Sequence, residues 1–320
     1  MVTVRVVTDL AECQNLWRRF VPTRLLTDLW EVRQCFHRHF RRPVRFLVAE
    51  DGREARGLLP LSWIEEAGCY GYFPGETWAR ETWLEQNRIA ASGQEVLQAL
   101  LANCPGPYHI RYLLPFECVP QHLGEGDEVG YLFLPPDYGY DIENYFQAFS
   151  NRSAKRLKRE LAEIEDRADY RYDEFDDLEA MAQLNIGRFG EASYFADARF
   201  RDGFRSLAGL LRERGWLRVT TVLVNGQPVA VDMGCVYQGA YTLLAGGTCA
   251  SCPGVAKVVN VHHMRRACDW RVDQVDFLCG DFSWKKLFHL TERPLYLISN
   301  WPVSRRRPQG AGVAEAAHAG

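Results

Sequence analysis

Residues 3–7 alternate apolar and polar side chains and are rich in β-branched ones, which predicts a strand. Asp9 then stands where a helix needs a cap, with Glu12 three residues on, and the pattern is helical to about Phe20. A second helix is predicted over residues 28–40, where Leu29, Val32, Phe36 and Phe40 fall at helical spacing. Residues 46–50 and 57–63 read as strands joined by Asp51-Gly52, a hairpin signal. Beyond a stretch rich in Gly, Pro and aromatics, residues 94–102 read as a helix and 109–113 as a strand.

A boundary is expected near residues 135–141. After it the pattern predicts one long polar helix, 142–166, with Ala154, Leu157, Leu161 and Ile164 as its apolar stripe. Arg152, Lys155, Arg156, Lys158 and Arg159 crowd its middle. The order then starts again. A strand is predicted over 170–175, and a helix to about Phe189 capped by Asp176, with Glu179 as capping-box partner. A helix over 198–214 follows, then strands 216–224 and 228–236 around an Asn225-Gly226 turn. A strand over 241–245, a helix over 254–270 and a strand over 274–278 close the pattern.

Both halves thus open β-α-α-β-turn-β. Residues 46–52, Phe-Leu-Val-Ala-Glu-Asp-Gly, parallel residues 221–226, Thr-Val-Leu-Val-Asn-Gly. The expected fold class is α/β (α+β), an internal duplication in which each half is a mixed central sheet flanked by helices. The expected domains are residues 1–140 and 141–302, followed by an aperiodic Arg/Pro/Gly/Ala tail over 303–320, expected to be disordered.

Composition narrows the function. The chain is 47% hydrophobic with net charge −3, which suits packed domains and argues against a generally basic nucleic-acid binder. No uninterrupted apolar run reaches the roughly 20 residues that a helix needs to cross a bilayer. The opening residues read as a strand and not as a secretory leader. Ten cysteines lie without framework spacing, which predicts free thiols and a cytoplasmic location. One Cys-x-x-Cys, Cys249 to Cys252, precedes His262 and His263, but a lone pair without a second pair at finger spacing points to a turn, and no metal is expected.

Residues 275–288, Val-Asp-Phe-Leu-Cys-Gly-Asp-Phe-Ser-Trp-Lys-Lys-Leu-Phe, resemble a signature of the CelD-like acetyltransferases, of roughly D-F-x-x-G-D-x-x-Y-K-x-x-W/F form. Trp284 replaces the usual Tyr, while Lys285 and Phe288 keep the Lys and the aromatic. The basic helix from Asn151, the hairpin Gly226 to Ala230 and the Ser251 to Gly254 turn resemble further parts of the same family, and the resemblance covers residues 140–301 well. That family lies in the GNAT superfamily and is related to the Fem-type peptidyltransferases. It implies tandem duplicated GNAT folds, a degenerate first half and an acyltransferase second half.

Direct transfer from a thioester or ester to an amine needs a phosphate cradle, a polarised carbonyl and a proton acceptor. The resemblance implies the cradle at Gly254, Val255, Ala256 and Lys257, where a helix N-terminus offers N–H groups to an anion. Ser251 stands where that loop usually has Arg or Gln. Arg152 and Arg156 on the basic helix are further phosphate-binding candidates, unless the helix is simply a solvated face paired with Glu160, Glu163 and Glu165. Lys285 is expected at the donor carbonyl or a phosphate. Asp281 either holds Lys285 as an ion pair or acts as base. Asp232, in the apolar run Val229-Ala-Val-Asp-Met-Gly-Cys-Val, is either a general base or an outward-facing strand residue.

The expectation is an N-acyltransferase that uses acyl-CoA or an acyl carrier protein as donor and an amine as acceptor. A Fem-like enzyme drawing on aminoacyl-tRNA is the alternative. It is disfavoured by the acidic balance and by the lack of the long helical arm of those enzymes. A non-catalytic binding protein retaining the fold is the third reading.

Overall fold

The computed structural model describes residues 2–52, 54–78, 81–115, 125–280, 285 and 288–301. Asp281, Trp284 and the 303–320 tail lie outside the described residues. Contacts divide the chain into two compact units. One comprises residues 1–128, 202–207 and 294–306, and the other residues 129–201, 208–293 and 307–320.

The first unit runs β1 (Val2–Val7), α1 (Leu10–Phe20), α2 (Trp30–Phe40), β2 (Val44–Asp51), β3 (Glu54–Ile64), β4 (Cys69–Tyr72), β5 (Ala90–Ala91), α3 (Gln94–Ala102) and β6 (His109–Leu113). Strands β1-β2-β3-β4 form an antiparallel sheet in that order, with β5 paired to β3. A parallel bridge, Tyr70 to Tyr108, joins the region of β4 to that of β6 across helix α3. Asp9 caps α1 as the sequence predicts, accepting from the Glu12 N–H at 2.8 Å. The Glu12 carboxylate, however, turns to Arg5 at 2.6 Å. The core is aromatic: Phe73 stacks on Trp30 at 5.0 Å, and Trp17 and Phe46 pack around them.

The chain continues through β7 (Glu125–Phe133), α4 (Ile142–Phe146), α5 (Asn151–Glu165), β8 (Ala168–Tyr172), α6 (Asp177–Phe189), α7 (Ala198–Glu213), β9 (Leu217–Val224), β10 (Gln227–Tyr237), β11 (Ala240–Thr248), α8 (Val255–Trp270), β12 (Gln274–Asp276) and β13 (Thr291–Ser299). Within the second unit the strands lie in the order β7-β12-β11-β10-β9-β8. Strands β8 to β11 are antiparallel, and β11 and β12 are parallel across α8. Both units therefore follow the same path: four antiparallel strands, then a helix that crosses to a parallel neighbour. The duplication read from the sequence is present in the fold.

The single long helix predicted over 142–166 is two helices. Ser150 interrupts it, its hydroxyl accepting from the Ser153 N–H at 3.2 Å to cap α5. The capping box predicted at Asp176 does not form. Asp176 makes no cap bond, and Asp177 instead accepts from Arg171 and from Thr221 at 2.5 Å.

Candidate functional site

The site grows out of two features of the second unit. The first is a gap in the sheet. β11 pairs with β12 only at Ala240–Thr242, while β11 itself runs on to Thr248. Past Asp276 no described strand follows β11 on that side, so the edge of β11 faces the segment after β12 over the floor of α8. A small recess, open to solvent, lies there. Leu243, Val259 and Phe277 give it apolar walls, and Asp232, Thr248 and Asn260 add polar groups.

The second feature is a directed chain of hydrogen bonds. Asp232 on β10 stands opposite Thr220 of β9 and Gly246 of β11. Its Oδ2 lies 2.9 Å from His263 Nε2, and His263 Nδ1 lies 2.9 Å from the Tyr241 hydroxyl. Burial pushes the Tyr241 phenol well above its ordinary range, with the Asp232 charge adding to it. A carboxylate oxygen accepts, so His263 Nε2 donates to Asp232, and in that tautomer Nδ1 accepts from the Tyr241 hydroxyl. His263 is 1% exposed and Asp232 13%. The carboxylate is thus pinned through one oxygen at the lip of the recess.

Backbone chemistry makes room for it. A Cβ on Gly246 would stand 2.2 Å from Asp232 Oδ1, so only glycine fits opposite the acid. Asn185, 1% exposed, donates to the Gly246 carbonyl at 2.7 Å and accepts from the Ser193 hydroxyl at 2.6 Å. Tyr194 is also near. Burial raises its phenol first, and the charge of Asp232 second.

Lys285 is fully buried. Its ammonium donates to the carbonyls of Phe277, Leu278 and Cys279 at 3.0, 3.1 and 2.8 Å, and it lies 5.2 Å from the centre of the Tyr131 ring. It therefore fastens the wall of the recess opposite β11. Asp276 fixes the same segment from the other side, accepting from Arg293 at 2.8 Å and from the Leu278 N–H at 3.0 Å.

At the start of α8, Gly254 is left-handed (φ 85°), with Ile164 close behind it. Val255 and Ala256 are buried, and Lys257 pairs with Glu160 at 3.0 Å. Arg152 and Arg156 point outward on α5, the latter 3.7 Å from Glu160. The structure brings Asp232 and the α8 start to one recess and places Arg152 and Arg156 on an exposed helix face. Among the described residues no group of three or more His, Cys, Asp and Glu side chains is arranged for a metal.

Sequence reasoning missed His263, Tyr241 and Gly246. A signal for His263 existed. It and Asn260 are the polar residues buried in the otherwise apolar opening of α8, and buried polar groups demand partners.

A profile for acetyltransferase (GNAT) domains matches residues 151–286. Among solved structures the chain is similar to L-PGS from Bacillus licheniformis, at TM-score 0.58 and 9% identity, covering 97% of this chain and 98% of that one. It is similar to FemX at TM-score 0.55 and 10% identity, covering 92% and 97%. It is similar to the C-terminal domain of a putative lysylphosphatidylglycerol synthetase from Agrobacterium fabrum at TM-score 0.54 and 12% identity, covering 96% and 95%. No curated protein matches the chain. Identities this low speak for the fold, and the profile match speaks for the second half. Over residues 151–286 the chain carries an acetyltransferase domain of the GNAT superfamily, and it is an acyltransferase whose fold is shared with Fem-type enzymes.

Proposed function

We propose that this protein transfers an acyl group from a thioester donor to an amine by direct attack, in the cytoplasm, with Asp232 as the proton acceptor. The carrying observation is the Asp232–His263–Tyr241 chain ending at the recess. The acyl group lies between β11 and α8, against Leu243, Val259 and Phe277. The donor's phosphates meet the start of α8, where Gly254 to Lys257 present a helix N-terminus.

The amine attacks the carbonyl carbon, and Asp232 takes its proton on Oδ1 while Oδ2 keeps the bond from His263. The C–S bond breaks so that the sulfur leaves as a thiolate, which takes up a proton to give the free thiol. His263 and Tyr241 are positioning residues. They hold the carboxylate at one angle and compensate the loss of water around it. Lys285 acts through the wall it fastens, and Asp281 is its candidate partner from the sequence signature.

An aminoacyl ester is the second donor reading. What supports it is that the Asp232 carboxylate and Asn260 both line the recess and suit the ammonium of an aminoacyl group, and that FemX and the synthetase domain share the fold. Thermal stabilisation by an acyl-CoA series separates the two. A donor at 100 times its Kd stabilises the fold by about 2.7 kcal/mol. Stabilisation by acyl-CoA, together with thiol release in the presence of primary amines, supports the first reading. No stabilisation by any acyl-CoA and acyl transfer from aminoacyl-tRNA would replace it with the second.

A further inference from the structure

We infer that the outward face of α5 is the docking surface for an acidic carrier protein that presents the acyl group on its thiol arm. The inference rests on the thioester reading above and names the carrier. Arg152, Lys155, Arg156 and Arg159 recur at helical spacing and are exposed, while Leu157, Leu161 and Ile164 on the other side of α5 are buried. Four cations thus share one face about 12 Å long, roughly two turns of helix.

This arrangement works against the helix itself. The N-terminal end of a helix is its positive pole, and cations there are unfavourable. The first turn of α5 holds no acid, unlike α1 with Glu12 and α6 with Asp177 and Glu179. The pairs Arg152–Arg156 and Lys155–Arg159 set like charges four residues apart, which also repel. Internal compensation is slight. Arg156–Glu160 and Arg159–Glu163 stand at 3.7 and 3.9 Å, and both arginines are well exposed. Lys158 is taken by Glu143 at 2.6 Å. Among the described residues, no acid lies within ion-pair distance of Arg152 or Lys155. An external anion removes both penalties together.

The shape of the charge selects the partner. Glu143, Glu160, Glu163 and Asp166 fence the patch, and the whole chain carries net charge −3. A long nucleic acid tracking along the surface would run onto those carboxylates, whereas one acidic helix of a small protein covers two turns and stops. Position ties the patch to the donor. α5 packs beside the start of α8 through Glu160–Lys257 and through Ile164 against Gly254.

The test is the double variant Lys155→Glu/Arg159→Glu, with its melting temperature confirming the fold. Turnover is measured with octanoyl-CoA and with an acidic acyl carrier protein charged with octanoate. The expected result is a loss of at least tenfold in kcat/KM for the carrier, with the CoA thioester changed by less than twofold. Wild-type turnover of the carrier should also fall as salt rises. Equal losses for both donors would overturn the inference and assign the face to the coenzyme's own phosphates. No loss for either would overturn it outright. Direct titration of the carrier separates this idea from the thioester reading. Binding by the wild type that the variant loses upholds the surface even if neither thioester turns over, and no binding refutes it. Binding of tRNA that the variant abolishes, with none of the carrier, would give the face to RNA and refute the carrier.

Discussion

Replacing Gly246 with alanine tests the site through a single methyl group. The added Cβ would stand 2.2 Å from Asp232 Oδ1, where ordinary contact begins at 3.4 Å. Carboxylate and strand must therefore separate by about 1.2 Å, and a displacement of that size at a reacting group costs on the order of 100-fold in rate. Asp232 cannot turn away freely, because His263 holds Oδ2 at 2.9 Å and Asn185 holds the Gly246 carbonyl at 2.7 Å. The overpacking costs about 1–3 kcal/mol of stability, so the enzyme stays folded at 25 °C. Thiol release from the donor in the presence of acceptor is the assay. Gly209→Ala is the control, since a Cβ there meets nothing within 4 Å and the residue lies inside helix α7. It should raise stability by up to about 1 kcal/mol and leave turnover unchanged. Gly246→Ala with wild-type kcat would refute the placement of the acid at the reacting centre.

Lys285→Met removes three bonds from a buried ammonium to main-chain carbonyls, a loss of about 3 kcal/mol or more, so melting should drop several degrees along with turnover. Lost turnover with an unchanged melting temperature would instead make Lys285 a group that acts on the donor. Burial holds the His262 imidazole down at about 3, with the positive charges of Arg266 and Arg265 adding to it. Between that value and the ordinary one near 6.5, the unfolded chain binds a proton that the folded chain refuses. Stability should therefore fall as pH falls through this window, by up to about 1.4 kcal/mol per unit from this residue. Urea midpoints of His262→Phe should lose that part of the slope, and an unchanged slope would contradict the burial argument.

Much of the second unit is legible because its signals are local. Asn225-Gly226 sets the β9–β10 hairpin, and the alternation in residues 217–237 sets its strands. Asp232 stands out as the one charge in an apolar run, and it is partly buried as that run implies. Its partners are not local. His263 reads as half of a His-His pair on a helix and Tyr241 as a strand aromatic. Only the β10–β11 register and the crossing of α8 bring them to Asp232. The break between α4 and α5 is hidden because residues 147–150 hold neither Gly nor Pro, so the apolar spacing of Phe146 and Phe149 reads through it. Strands β7 and β13 escaped the pattern for a different reason. β7 opens on the charged run Glu125 to Glu128, and β13 carries Pro294, which argues against a strand.

The central claim is that Asp232 takes the acceptor's proton while His263 and Tyr241 hold it in place. Asp232→Asn tests it most directly, because the amide keeps the shape and can still accept from His263 Nε2. The account predicts a fall in kcat of at least about 100-fold, donor-induced stabilisation equal to wild type, and a melting temperature within a few degrees of wild type. Turnover within a few-fold of wild type would contradict it, as would a loss of donor stabilisation that accounts for the whole defect.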